Sequence, residues 1–178
     1  MPTLADWESI VREHGPMAFD TAWRILGHVQ DTEDVVQEAL LGALRLHQER
    51  AVDNWGGLLR HLATRRALDL LRKKRPTVAL EFEPAAATGD QPEATAIGRE
   101  LAQRLRSAVA QLPDREASVF CLHYFGEMSN PEVAETLSIS TDAVAVALHK
   151  ARTNSRNFLR ITRRVPGEQR DERRQFER

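Results

Sequence analysis

Apolar residues recur every three or four positions along most of the chain, and they mark helices. In "DTEDVVQEALLGALRLHQER" the stripe runs through Val35, Val36, Ala39, Leu40, Ala43 and Leu44, the spacing of one buried helical face. "NWGGLLRHLATRRALDLLRKKR" repeats it through Leu58, Leu59, Leu62, Ala63, Leu70 and Leu71. Two earlier helices are expected, Leu4 to His14 and Met17 to His28, punctuated by Gly15-Pro16. The alternation that marks a strand is met only in "AVAVAL", with no turns to bound it. The fold class is all-α. Helices of this length bury a small core together and none could do so alone.

The pattern breaks at Pro76. From there to about Ile97, "PTVALEFEPAAATGDQPEATAI" is rich in proline, small residues and acids, the composition of a flexible linker. Helical spacing returns at about Gly98 and continues to about Thr162. The expected organisation is a helical domain over 1–76, an acidic linker over 77–97, a second helical domain over 98–162, and a charged tail over 163–178.

The second domain carries the sharpest local signals. "LPDRE" sets Pro113 and nearby acids at a helix start, and Gly126 closes that helix after Phe125. Ser129 and Glu132 form the S-x-x-E of a capping box, with Met128 and Val133 placed as a hydrophobic staple. A short helix from Asn130 to Leu137 then gives way to Ser138-Ile139-Ser140, and Ser140 can cap the next helix. Two helices joined by so short a turn read as a helix-turn-helix. By pattern alone, a purely structural helical hairpin remains the alternative.

Charge sharpens the picture. Lys and Arg number 25 against 26 Asp and Glu, yet the balance hides segregation. Arg60, Arg65, Arg66, Arg72, Lys73, Lys74 and Arg75 face Asp69 alone, whereas residues 76–97 hold four acids and no Lys or Arg. Charge sorted by segment suits separate interaction surfaces. The single cysteine, Cys121, lies in "VFCLHYF" and reads as a small core residue, which rules out an internal disulfide. No apolar run reaches membrane-span length, and "MPTLADWESI" lacks a signal pattern, so a cytoplasmic protein is expected. The six histidines form no H-x-x-x-H pair and no phosphate loop or nucleophile constellation appears, so neither a metal, a cofactor nor an enzyme is expected.

"DTEDVVQEALLGALR", then "LLRHLATRRALDLLRKKR", an acidic linker, and "LPDREASVFCLHYFGEMSNPEVAETLSISTDAVAVALHKAR" together resemble an extracytoplasmic-function (ECF) sigma factor, the smallest class of the sigma-70 family. The resemblance covers about Leu4 to Leu159 and rests on the order and spacing of the motifs. It implies a first domain that binds core RNA polymerase and melts the minus-ten promoter element. The second would read the minus-thirty-five element. It also implies an anti-sigma partner and a chain that is monomeric when free.

The family's D-x-x-Q-E signature falls on Asp34, Gln37 and Glu38. With Leu41 and Arg45 these would form the polymerase-binding stripe, an apolar residue among charges, although a solvated helix face has the same pattern. Minus-ten contacts would come from Arg60, Arg65, Arg66, Asp69, Arg72 and Lys73. Asp69 would orient the guanidinium groups one turn away. A helix C-terminus alone favours cations and accounts for Arg72 to Arg75, but not for Arg60 to Arg66. The family's usual Asn is Arg65 here, and a common Trp is Leu58. Trp55 is expected in the core.

Minus-thirty-five contacts would come from Ser140, Thr141, Asp142, Ala145, His149, Lys150 and Arg152. The family's usual Lys or Arg is absent at Ala145 and Ala147, so the start of this helix would carry the reading, through backbone N–H groups, polar side chains and thymine methyl contacts. Two other readings remain: a helix-turn-helix regulator independent of polymerase, and a helical adaptor that has lost DNA binding.

Overall fold

The computed structural model describes residues 4–74 and 96–162, all of the regular structure there being helical. The expected tail over 163–178 and nearly all of the 77–97 linker lie outside the described residues. The exceptions are Ala96 and Ile97, which already open a helix.

Helix α1 runs unbroken from Leu4 to Leu26 with Pro16 inside it, where two helices were expected. A mid-helix proline removes one hydrogen bond and crowds the preceding turn, at a cost of about 3 kcal/mol. Gly15 eases part of this, because it offers no Cβ to the proline ring. The buried stripe also continues across the break. Trp7 and Ile10 before it, and Ala18, Ala22 and Ile25 after it, belong to one core. Ile25, fully buried, contributes roughly 1.5–3 kcal/mol, the half-buried Trp7 and Ile10 add part of as much, and together they offset the kink.

Helix α2 spans Val29–Glu49 and α3 spans Trp55–Lys73. The chain turns between α1 and α2 at Gly27, whose φ of 66° is left-handed and whose Cβ position lies 2.6 Å from the Arg106 guanidinium carbon. The left-handed backbone is what favours glycine there. His28 then caps α2 by accepting from the Asp31 amide, and Asn54 caps α3 by accepting from Gly57 N at 2.8 Å. Lys74, just past α3, donates to both Asp31 carboxylate oxygens at 2.6 and 2.7 Å, tying the end of α3 to the start of α2. Trp55 packs edge-on against Trp7, ring centres 5.8 Å apart, as a core anchor.

In the second half, α4 spans Ala96–Ala110 and α5 spans Asp114–Phe120, with Pro113 at its cap and Asp114 and Glu116 in its first turn. The chain continues as a wider π-type turn, Cys121–Phe125, closed by Gly126 N donating to Cys121 O at 2.9 Å. Helix α6 is Asn130–Leu137 and α7 is Thr141–Thr162. The capping box forms as expected: the Ser129 amide and hydroxyl donate to the Glu132 carboxylate at 2.7 and 2.6 Å. Those bonds stabilise the charged carboxylate and hold it below the usual range. Met128 and Val133 are both buried in the core beneath the two helices. Ser140 accepts from Ala143 N at 3.1 Å and caps α7.

Ser138, in the turn of the helix-turn-helix, adopts φ 53° and ψ 46°. A side chain in this left-handed region costs about 1 kcal/mol that glycine does not incur. Ser138→Gly is therefore expected to raise stability by up to about 1 kcal/mol, less the extra unfolded-state entropy of glycine. Urea denaturation measures this, and a loss of stability would show that the Ser138 side chain holds the turn.

The two halves each hold helical packing, and they also meet. Val109, Ala110, Leu112, Ala117, Phe120, Cys121 and Ala151 join the core of α1, α2 and α3, while Val119, Leu122, Met128, Val133, Ala134, Val144, Ala147 and Leu148 form a separate core under α6 and α7.

Candidate nucleic-acid interface

Three exposed faces carry the residues singled out from the sequence. On α2, Val35, Val36, Ala39 and Ala43 point inward, and Asp34, Gln37, Glu38 and Arg45 are exposed. Leu41 stands among them at 55 % exposure, a large apolar side chain that no neighbour covers. Such a residue in a charged surround suits docking against another protein.

Helix α3 distributes its cations over different sides. Arg65, Asp69 and Lys73 are exposed and follow one another by turns of the helix. Arg66 is drawn to α2 and donates to the Glu38 carboxylate at 2.5 Å. Arg72 donates to the Asp114 carboxylate and to Leu112 O, at 2.9 Å for the latter, both in the second half. Arg60 is half-buried and donates to Met17 Sδ at 2.8 Å. Glu38 takes Arg66 and Asp114 takes Arg72, so Asp69 pairs with neither of these two guanidinium groups. Leu58 packs against the first core. A helix C-terminus and its dipole are thus only part of why cations gather here, since Lys74 and Arg72 each bind a carboxylate on another element.

Beside them sits His61, whose Nδ1 is buried without a partner. Burial first, and then the charge of Arg65, hold its pKa below the usual imidazole value. The unfolded chain therefore takes up this proton at higher pH than the folded one, and stability must fall as pH drops below about 6.5. His61→Gln is expected to flatten that part of the pH–stability curve; an unchanged slope between pH 7 and 5.5 would assign the effect elsewhere.

On α7, Val144, Ala147, Leu148 and Ala151 face inward, while Ser140, Thr141, Asp142, Ala145, His149, Lys150 and Arg152 are exposed. Val146 joins them at 54 % exposure. The outward face therefore begins with hydroxyls and a carboxylate, passes through small apolar groups, and ends in cations. Arg152 is steadied by Tyr124, donating to its hydroxyl at 2.6 Å with the guanidinium 5.6 Å from the ring centre. Tyr124 could not be singled out from the sequence, because it comes from the turn after α5, outside the helix-turn-helix. Among the described residues no three His, Cys, Asp or Glu side chains gather as a metal site, and no helix is long and apolar enough to cross a membrane.

A helix-turn-helix whose second helix keeps one face exposed, beside a helical unit that carries exposed cations, suits a two-part DNA-binding protein. Residues 10–77 match Sigma-70 region 2, and residues 102–154 match Sigma-70, region 4. The chain is 30% identical over 157 residues to the ECF RNA polymerase sigma factor SigW of Bacillus subtilis (strain 168), covering 80% of this chain and 82% of that one. It is 24% identical over 160 residues to the ECF RNA polymerase sigma factor SigE of Mycolicibacterium smegmatis, spanning 88% of this chain and 62% of that relative. The fold is similar to CnrH as solved in complex with the cytosolic domain of CnrY, with a TM-score of 0.61, 22% identity, and 89% and 90% of the two chains covered. The chain belongs to the ECF sigma factors, which bind RNA polymerase and direct it to promoters.

Proposed function

We propose that the three exposed faces divide the work of initiation among them. Asp34, Gln37, Glu38, Leu41 and Arg45 of α2 dock on core polymerase. Arg65, Asp69 and Lys73 of α3 meet the minus-ten element, with Arg60, Arg66 and Arg72 joining once their present partners release them. The start of α7 enters the minus-thirty-five major groove, where Ser140, Thr141 and the backbone amides approach phosphate and Ala145 offers a methyl contact to thymine. His149, Lys150 and Arg152 supply phosphate contacts along the later turns.

The observation that carries this reading is the α7 face: its start is exposed and capped, and its middle offers no hydrogen-bonding side chain. Such a helix binds DNA weakly alone and depends on polymerase for occupancy. The reaction chemistry belongs to the polymerase, and the sigma factor contributes binding energy that offsets the few kcal/mol of opening the duplex. An anti-sigma protein is a fitting regulator, because one chain covering α2 and α3 would hide both the polymerase and DNA faces.

Reconstitution tests the reading. The full chain added to core polymerase should yield initiation from a defined subset of a promoter library, and should bind those promoters far less without polymerase. Transcripts spread evenly over the library, or tight sequence-specific binding by the free chain, would overturn it.

A further inference from the structure

The chain has one cysteine and three methionines. Met1 lies outside the described residues. Cys121 has no exposed surface, and burial pushes its thiol well above the usual range, so it forms little of the thiolate that oxidants attack. Met128 is only 2 % exposed, in the core under α6 and α7. Met17 differs. It stands on α1 at 37 % exposure, and a thioether needs no deprotonation to react. Among the described sulfur atoms it is the one that a dissolved oxidant meets first.

Its neighbour gives that exposure a meaning. Arg60 of α3 donates from Nη2 to Met17 Sδ at 2.8 Å. A thioether is a weak acceptor, whereas a guanidinium makes its strong hydrogen bonds to charged oxygens. The Arg60 Nε is buried and has no acceptor among the described residues. A buried donor left in this state costs free energy. Nε and Nη2 share one edge of the guanidinium fork, so a single oxygen on the Met17 sulfur would serve both.

We propose that Met17 is an oxidation site whose sulfoxide clamps Arg60 and removes it from the minus-ten contacts. The clamp rests on the reading of Arg60 as one of those contacts. The oxidant is a peroxide, hydrogen peroxide being the simplest. A sulfur lone pair attacks one peroxide oxygen, the S–O bond forms and the O–O bond breaks. Sulfur is oxidised by two electrons and the peroxide is reduced. The departing oxygen keeps the bonding pair, takes the proton of the transferred oxygen and leaves as water. The new oxygen carries partial negative charge, lies one bond beyond the sulfur and accepts from Nε and Nη2. With the thioether, Arg60 gives up only a weak bond when phosphate arrives. With the sulfoxide it must first break a charge-assisted one. Met17 is partly in solvent, so the more polar side chain leaves the fold in place.

Peroxide treatment of the full chain tests each step. Peptide mass spectrometry should find one added oxygen on Met17 at least about tenfold sooner than on Met128, with the helical circular dichroism unchanged. Equal rates in the folded protein would overturn the site. By nuclear magnetic resonance, the Arg60 Nε–H signal, assigned by its loss in Arg60→Ala, should shift on oxidation and exchange with water at least about tenfold more slowly. Met17→Leu, close in volume and without sulfur, should show no such change under the same treatment. An Arg60 signal indifferent to Met17 oxidation would overturn the clamp.

The oxidised chain, bound to core polymerase, should hold promoter DNA about tenfold more weakly, with a salt slope shallower by about 0.7 to 0.9, the share of one phosphate. Methionine sulfoxide reductases for both epimers, with a thiol reductant, should restore binding, and Met17→Leu should be insensitive throughout. Arg60→Ala separates two kinds of failure. If it binds the promoter as well as the parent chain, the reading of Arg60 as a minus-ten contact falls, and the clamp's effect on DNA with it. If it weakens binding while oxidation of Met17 does not, that reading stands and the clamp is overturned.

Discussion

Glu38→Lys, reconstituted with core polymerase, is expected to cut promoter-specific transcription at least about tenfold, the equivalent of about 1.4 kcal/mol of lost association. The side chain is exposed on the face where Leu41 also stands uncovered, and reversing its charge puts repulsion where attraction is expected. It also breaks the pair with Arg66, but exposed pairs of this kind are worth roughly 0–1 kcal/mol, so the fold should survive. The informative comparison is Arg65→Glu. That variant should still co-purify with polymerase and fail at the promoter, whereas Glu38→Lys should fail to co-purify. Transcription indifferent to both changes would remove α2 and α3 from the assigned roles together.

Leu59→Ala is expected to cost about 3 kcal/mol of stability, within the roughly 2–5 kcal/mol usual for emptying a buried leucine site. Leu59 has no exposed surface and sits in the cluster to which both halves contribute. A natural domain holds only about 5–15 kcal/mol in all, so the variant should unfold at markedly lower urea concentration. Leu41→Ala provides the contrast on the neighbouring helix. At 55 % exposure its truncation should change stability by less than about 0.5 kcal/mol, yet weaken polymerase association. Equal losses of stability at the two leucines would mean that Leu41 is covered in solution, and would end its role as a free docking residue.

The helix-turn-helix was legible almost residue by residue because its signals are local. Ser129, Glu132 and Ser140 cap the backbone within three residues of themselves, so the sequence carries both partners of each bond. The inward and outward faces of α2 and α7 were legible for the same reason, since helical periodicity sorts them. Proline at position 16 misled, because a local rule predicted a break that burial on both sides overrides. What the sequence could not disclose was which carboxylate each arginine of α3 would find. Arg66 reaches back 28 residues to Glu38 and Arg72 forward 42 to Asp114, and only the assembled fold brings those groups together. Tyr124 escaped notice likewise, its partner Arg152 lying 28 residues away.

The bare middle of α7 has a consequence for how such a protein changes over generations. Ala145 and Val146 face solvent, and the second core is held by Val144, Ala147 and Leu148 beside them. Substitutions at 145 and 146 are therefore expected to change stability little, and if α7 enters the major groove as proposed, an arginine, asparagine or glutamine arriving there would reach toward a base edge. On that proposed role, folding and DNA preference are decoupled at these positions. A population of such chains could drift across promoter specificities without passing through an unstable variant.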